Sequence, residues 1–330
     1  MTPVLEVRNL TVTLPFQDGR RPVVDEVTFS VEKGETLGLV GESGCGKSMT
    51  LMSLVALQSP SAVIDPRSSV RFNGVELVGL KRRELEDVRG NGIGFVFQDP
   101  MTALNPVYKV KYQIDQVLRR HTSLTKTQRK IRVDDLLASV GFRDPSRVSA
   151  GYPHELSGGM RQRVVIAMAM AAEPALILAD EPTTALDVTT QAEILMLLRD
   201  LQRDNGVGVI LVSHDLGLVG EFADRICVMY AGRIVETGSA APLLQGPLHP
   251  YGEALLQSAP SLSTDRNAPL PVIPGSMPPI AERGTGCLFG ERCIAATERC
   301  WQTPTMKLHA PDRWVACWKH EQTQDAGVGA

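Results

Sequence analysis

Gly41-Glu42-Ser43-Gly44-Cys45-Gly46-Lys47-Ser48 follows the apolar run Thr36-Leu37-Gly38-Leu39-Val40 and leads into Met49-Thr50-Leu51-Met52-Ser53-Leu54. The order is strand, glycine-rich turn, helix, which is the context a phosphate-binding loop requires. Glycines let the backbone curl until several N–H groups point into one hollow, and a helix starting at Lys47 adds the positive end of its dipole. The expected nucleotide contacts are therefore Gly41, Ser43, Gly44, Cys45, Gly46, Lys47, Ser48 and Met49. Lys47 is placed to reach the β- and γ-phosphates, and the Ser48 hydroxyl to take one position on Mg²⁺. By itself the stretch says only that the chain binds a nucleotide.

Upstream, short alternating runs such as Leu5-Glu6-Val7-Arg8 and Val27-Thr28-Phe29-Ser30-Val31, with Asp18-Gly19 as a turn, predict an antiparallel sheet ahead of the loop. Phe16, near the first hairpin tip, can stack on a nucleotide base or pack on its own turn. Downstream, Ile93-Gly94-Phe95-Val96-Phe97 predicts a buried strand that ends on Gln98, an amide placed to touch a metal-bound phosphate or to serve as a turn residue. Residues 107–141 carry helical periodicity and predict an α-helical insertion.

That insertion closes with Leu156-Ser157-Gly158-Gly159-Met160-Arg161-Gln162, a small-residue turn expected to open a helix at Met160 and to present bare N–H groups to a second anion. Ala175-Leu176-Ile177-Leu178-Ala179 predicts a parallel strand that delivers Asp180 and Glu181 to its C-terminal edge. Asp180 suits the Mg²⁺ shell, and Glu181 can take a proton from water attacking the γ-phosphate. Asp187 follows in a turn, and a further buried strand, Val209 to Ser213, ends on His214, a candidate to orient that water.

Net charge is −3 over 330 residues, so no global basic field recommends nucleic acid as partner. The longest apolar run near the middle, Val164 to Ala172, falls short of the roughly 20 residues that cross a bilayer. The N-terminus lacks a basic-then-apolar pattern, and a cytoplasmic location is expected. Cys45 and Cys227 stand apart, Cys227 as a small core residue. Cys287, Cys293, Cys300 and Cys317 crowd together near the end with gaps of five, six and sixteen residues. Four thiolates suit an iron-sulfur cluster or zinc, and the missing tight pair tilts toward the larger cluster. His309 and His320 are rival ligands or surface histidines. Proline recurs from Pro242 to Pro279, which predicts an extended linker.

These motifs together resemble the ATP-binding subunits of ABC transporters: Walker A over Gly41 to Ser48, the Q-loop at Gln98, the signature from Leu156 to Gln162, Walker B from Leu176 to Asp180 with Glu181 as catalytic glutamate, the D-loop Ala185-Leu186-Asp187, and the switch histidine His214. The A-loop aromatic maps to Phe16. Phe97 to Pro106, Tyr152 to Ser157 and His249-Pro250-Tyr251 look like the peptide and nickel importer subfamily, and the four-cysteine tail resembles its longer, dipeptide or oligopeptide type. The resemblance implies an α/β P-loop NTPase (RecA-like) core with an antiparallel β subdomain and a helical subdomain over about 99–165. The cassette would span 1–240, with a proline-rich linker over 241–280 and a cysteine-rich extension over 281–330.

It implies, further, ATP hydrolysis with Lys47, Glu181 and His214 in the chemistry, and Mg²⁺ held by Ser48, Gln98 and Asp180. Ser157, Gly158, Gly159, Gln162 and Asp187 would contact nucleotide, and Cys287, Cys293, Cys300 and Cys317 would hold a 4Fe-4S cluster, with zinc as the alternative. The implied partners are a second ATPase subunit, by preference a paralogue, two permease subunits and an extracellular or periplasmic substrate-binding protein, with this chain at the cytoplasmic face of the membrane. A nickel importer and a soluble ABC protein acting on nucleic acid are the competing readings. The thiol of Cys45, inside the loop, is an expected point of sensitivity to alkylation.

Overall fold

The computed structural model describes residues 2–184, 186–258 and 272–320. Ala185 of the expected D-loop, part of the expected linker and the end of the extension lie outside them. The chain folds as two compact units that exchange the backbone several times: one holds residues 1–5, 30–36 and 71–211, the other 6–29, 37–70 and 212–330. In chain order the elements begin with strands β1 (Leu5–Phe16), β2 (Gly19–Val31) and β3 (Thr36–Val40), then helix α1 (Lys47–Leu54). Next come β4 (Val63–Ile64), β5 (Ser69–Phe72), β6 (Val75–Glu76), α2 (Arg82–Val88), β7 (Ile93–Val96) and α3 (Pro100–Ala103). The helical run is α4 (Val110–His121), α5 (Lys126–Ser139), α6 (Pro145–Ala150) and α7 (Gly158–Met170). It gives way to β8 (Leu176–Asp180), α8 (Val188–Asn205), β9 (Gly208–Ser213), α9 (Leu216–Gly220), β10 (Arg225–Tyr230) and β11 (Arg233–Ser239). The chain closes with α10 (Ala240–Gln245), α11 (Pro250–Ser258), β12 (Lys307–Ala310) and β13 (Arg313–Val315).

The first unit contains the helical insertion and the β8 carboxylates. β7 and β8 run parallel, with Val96 opposite Ala179, and every residue of β8 is buried, its apolar part Leu176 to Ala179 as a strand covered on both faces demands. Helix starts here are chemically marked. Asp99, Thr125, Asp144, Ser157 and Asp187 each accept from a backbone N–H of the following turn, which satisfies donors that a helix end otherwise leaves bare. α5 packs on α4, α6 and α7 through Val133, Leu136 and Leu137, all buried.

The second unit contains the phosphate loop and the C-terminal region. β3 runs parallel to β10, β10 pairs antiparallel with β11, and β13 and β12 continue from β11 by antiparallel pairing, Glu236 opposite Val315. β1 and β2 form the long hairpin, with β4 laid along β1 at Val12 opposite Ile64.

Two expectations are corrected. Over 241–280 the described residues include two helices, α10 and α11, and Tyr251 is fully buried, so apolar burial overrides the proline signal there. The cysteine-rich extension is continuous with the second unit, because β13 takes the free edge of β11. Among the described residues no helix is long and apolar enough to cross a membrane.

Candidate functional site

The phosphate loop takes its shape from residues that tolerate left-handed backbone. Gly46, the N-cap of α1, has φ 115°, and a Cβ there would lie 2.9 Å from the Val23 carbonyl and 2.8 Å from Met229 Cε. No side chain fits. Lys47 is 4% exposed, and its Nζ donates to the carbonyls of Gly41 (2.7 Å) and Glu42 (3.0 Å), so the ammonium is held inside the turn, where a phosphate oxygen can replace a carbonyl. Ser48 follows in the first turn of α1. Cys45 is fully buried and burial pushes its thiol pKa up, which works against the alkylation expected of it. Phe16 closes β1 half-buried beside the hairpin turn.

In the other unit β8 ends in Asp180, 2% exposed, and Glu181, whose φ of 42° is left-handed. A non-glycine residue there is uncommon, and the bend turns the Glu181 carboxylate out of the strand line. Glu181 Oε2 accepts from Gln98 Nε2 (3.3 Å) and from Thr184 Oγ1 (3.0 Å). The predicted Q-loop amide and catalytic carboxylate are thus brought together. Ser157 caps α7 by accepting from Met160 N, so Gly158 and Gly159 are the first helical residues and the helix begins two residues before the predicted Met160. A Cβ on Gly159 would lie 2.7 Å from Thr190 Cγ2, which fixes this turn beside the start of α8, where Asp187 accepts from Thr190 N and Oγ1. Those bonds hold the Asp187 carboxyl below its ordinary pKa. Gln162 differs from expectation: it is 1% exposed with its amide nitrogen unpartnered, on the packed side of α7. His214, which belongs to the unit of the phosphate loop, is exposed just after β9.

Sequence reading missed the contacts around the phosphate loop within its own unit. The Glu42 backbone N–H donates to the Tyr251 hydroxyl at 2.7 Å, and the Glu42 carboxylate receives two bonds from Arg292, at 2.7 and 2.9 Å. Arg292 is 8% exposed, also donates to the Tyr230 hydroxyl, and its bonds to Glu42 raise its pKa. Phe289 packs on Tyr230, Tyr251 and His249 with ring centroids 5.2, 5.3 and 5.9 Å away. The only sequence signal was the His249-Pro250-Tyr251 motif; nothing local ties Arg292 to Glu42, 250 residues earlier.

Cys287, Cys293, Cys300 and Cys317 line one cavity of about 140 Å³, together with His249, Phe289 and Trp318. The Cys287 N–H donates to the Cys300 carbonyl, tying two of the loops together. Burial pushes the Cys287 thiol up to about 11 and raises Cys293 and Cys317 as well. His249 Nδ1 accepts from the Tyr251 N–H, which leaves the proton on Nε2, a buried donor without a partner. An orphaned donor among four thiols fits an anionic, sulfur-rich occupant. Among the described residues no three His, Cys, Asp or Glu side chains are grouped closely enough to hold a metal ion, so this arrangement bears out neither the expected 4Fe-4S cluster nor zinc. His309 and His320 meet edge to face with ring centroids 4.7 Å apart, His320 contacts the Leu248 carbonyl, and neither lines the cavity.

A buried phosphate-loop lysine, a strand-end Asp-Glu pair and a capped Ser-Gly-Gly helix start define an ATP-hydrolysing P-loop protein. The family comparisons narrow the class. Residues 24–184 match the ABC transporter family and residues 235–300 match the oligopeptide/dipeptide transporter C-terminal region. The chain is 44% identical to the oligopeptide transport ATP-binding protein OppD of Bacillus subtilis, over 96% of this chain and 89% of that one. It is 42% identical to the dipeptide transport ATP-binding protein DppD of Escherichia coli, over 98% of each. Among solved structures, the ATP-binding cassette MJ0796, dimeric in a post-hydrolysis state with ADP and Pi, superposes with a TM-score of 0.63 at 29% identity, over 72% of this chain and 98% of that one. The chain belongs to the ATP-binding subunits of ABC transporters, in the group of the peptide transport ATP-binding proteins.

Proposed function

We propose that this chain is the ATP-hydrolysing subunit of an importer for dipeptides or oligopeptides, working as a pair of ATPase subunits, by preference with a paralogue, beneath two permease subunits that an extracellular binding protein supplies. The observation that carries the substrate class is the match of residues 235–300 to the oligopeptide/dipeptide transporter C-terminal region. Two anion-seeking turns in one chain, Gly41 to Ser48 and Ser157 to Gly159, favour a site completed by a second subunit, as does the dimeric state of the MJ0796 relative. In hydrolysis the water oxygen bonds to the γ-phosphorus, the bond to the β-phosphate oxygen breaks, and the Glu181 carboxylate takes the water proton. Gln98 and Thr184 orient that carboxylate, Lys47 neutralises phosphate charge, and Ser48 and Asp180 would hold Mg²⁺, which supplies electrostatic stabilisation of the phosphates. His214 orients the water in this reading.

Cys287, Cys293, Cys300 and Cys317 would hold a 4Fe-4S cluster. The cavity they share and the orphaned His249 donor support it. Such a cluster supplies one-electron redox chemistry or a structural cross-link.

The test is reconstitution with the permeases and binding protein in proteoliposomes. ATP-dependent uptake of labelled dipeptide or oligopeptide, lost in Glu181→Gln, supports the importer; uptake of nickel without peptide overturns the substrate class. Anaerobic purification should give near four iron and four sulfide per chain, lost in Cys300→Ser, and a wild-type protein without iron sinks the cluster.

A further inference from the structure

The C-terminal region reaches the phosphate loop through two independent groups. Tyr251, fully buried on α11, accepts from the Glu42 N–H, and Arg292, in the short loop between Cys287 and Cys293, clamps the Glu42 carboxylate with two bonds. Glu42 is the second residue of the loop, and its carbonyl also accepts from the Lys47 ammonium. Arg292 is fixed from behind as well: its Nε donates to the Pro274 carbonyl, its Nη1 to the Tyr230 hydroxyl, and its guanidinium lies 5.8 Å from the centre of the Phe289 ring. Phe289 and His249 both line the four-cysteine cavity, and Tyr251 follows His249 by two residues. The two residues that touch the phosphate loop are therefore immediate chain neighbours of residues that line the cavity, Tyr251 of Pro250 and Arg292 of Cys293.

We propose that Arg292 is a positioning residue for ATP binding, which holds the phosphate loop in its receptive shape through Glu42 and, with Tyr251, makes nucleotide affinity answer to what the four-cysteine cavity holds. The second half rests on the cluster reading given above; the first does not. Two bonds to a carboxylate resist both translation and rotation of Glu42, so the backbone that must present N–H groups to phosphate starts in place. Collapse or expansion of the cysteine loops moves Arg292 directly, because Cys293 is its neighbour and the Cys293 N–H is bonded to the Gly290 carbonyl.

The experiment uses the full chain purified anaerobically, with MgATP affinity read by a fluorescent ATP analogue and steady-state hydrolysis resolved into KM and kcat. Arg292→Met should weaken binding and raise KM by roughly five- to tenfold while kcat stays within about twofold, in the range of typical coupling between sites. Arg292→Lys should recover part of that loss. Glu42→Gln should weaken binding similarly, and the double variant should be no worse than either single one. Cys300→Ser should weaken binding in the wild-type background and add nothing in Arg292→Met. Unchanged affinity in Arg292→Met and Glu42→Gln, or additive losses in the double variant, overturns the positioning role. Should Arg292→Met fail to fold, Glu42→Gln and Arg292→Lys decide the same question. Equal effects of Cys300→Ser in both backgrounds overturn the link to the cavity. Iron and sulfide analysis of the same samples separates this from failure of the cluster: wild-type protein without iron ends the cluster reading and the dependence on it, while the Arg292–Glu42 cycle still judges the positioning role.

Discussion

Glu181 sits in left-handed backbone with its carboxylate between an amide and a hydroxyl, and such a conformation costs of order 1 kcal/mol unless its surroundings enforce it. Glu181→Gln keeps the size and both neighbours but cannot take a proton. It should lower phosphate release by 10²–10⁴-fold with nucleotide binding intact, as measured by single-turnover hydrolysis beside a binding titration. His249 offers a test by pH. Burial pushes its pKa down to about 3, below the ordinary 6.5, so the unfolded chain binds a proton there that the folded chain refuses. Stability contributed by neutral His249 is present above pH 6.5 and falls with pH by about 1.4 kcal/mol per unit toward 3. Between pH 7 and 5 the loss should be about 2 kcal/mol, seen in denaturant midpoints and absent from His249→Asn. At this scale the placement of Lys47 and Ser48 at the start of α1 and of Asp180 and Glu181 at the end of β8 was legible in the sequence, because each lies within a few residues of the strand or helix that aims it. Arg292 and His249 were not, because burial and partners 250 residues away decide what they do.

Helix starts separate stability from chemistry. Thr125 and Ser157 cap α5 and α7 by the same kind of bond, and losing either should cost roughly 1 kcal/mol. Thr125→Ala should lower the melting temperature with ATPase activity unchanged. Ser157→Ala should lower it comparably and also lose activity, because its turn carries the second anion-seeking end. Equal retention of activity in both would remove Ser157 from the site. Strands β7, β8 and β9 and the amphipathic helices were readable from apolar runs and periodicity. The start of α7 was not, since two glycines look like a turn until a serine caps them into the helix. The proline-rich stretch after Pro242 misled for a related reason. Pro250 occupies the first turn of α11, where a missing N–H costs nothing, and the residue after it, Tyr251, goes to the core.

For the molecule as a whole, a site shared between subunits predicts that specific activity rises with protein concentration and that Glu181→Gln accumulates ATP-dependent dimers, both measurable by light scattering beside hydrolysis assays. Activity per chain that stays constant on dilution far below micromolar concentration would argue for a self-sufficient subunit. The ATPase class was plain from six motifs in order, yet the place of the extension was not, because pairing between β11 and β13 depends on backbone groups that leave no mark in side-chain pattern. That pairing has a further consequence. β13 covers a row of N–H and C=O groups along β11, and Arg313 reaches from it to the fully buried Glu236 carboxylate. Cutting the chain before residue 300 would strip this cover and leave a bare sheet margin beside an unneutralised acid, so a shortened protein is expected to lose solubility by strand-to-strand association well before its ATP-binding core unfolds.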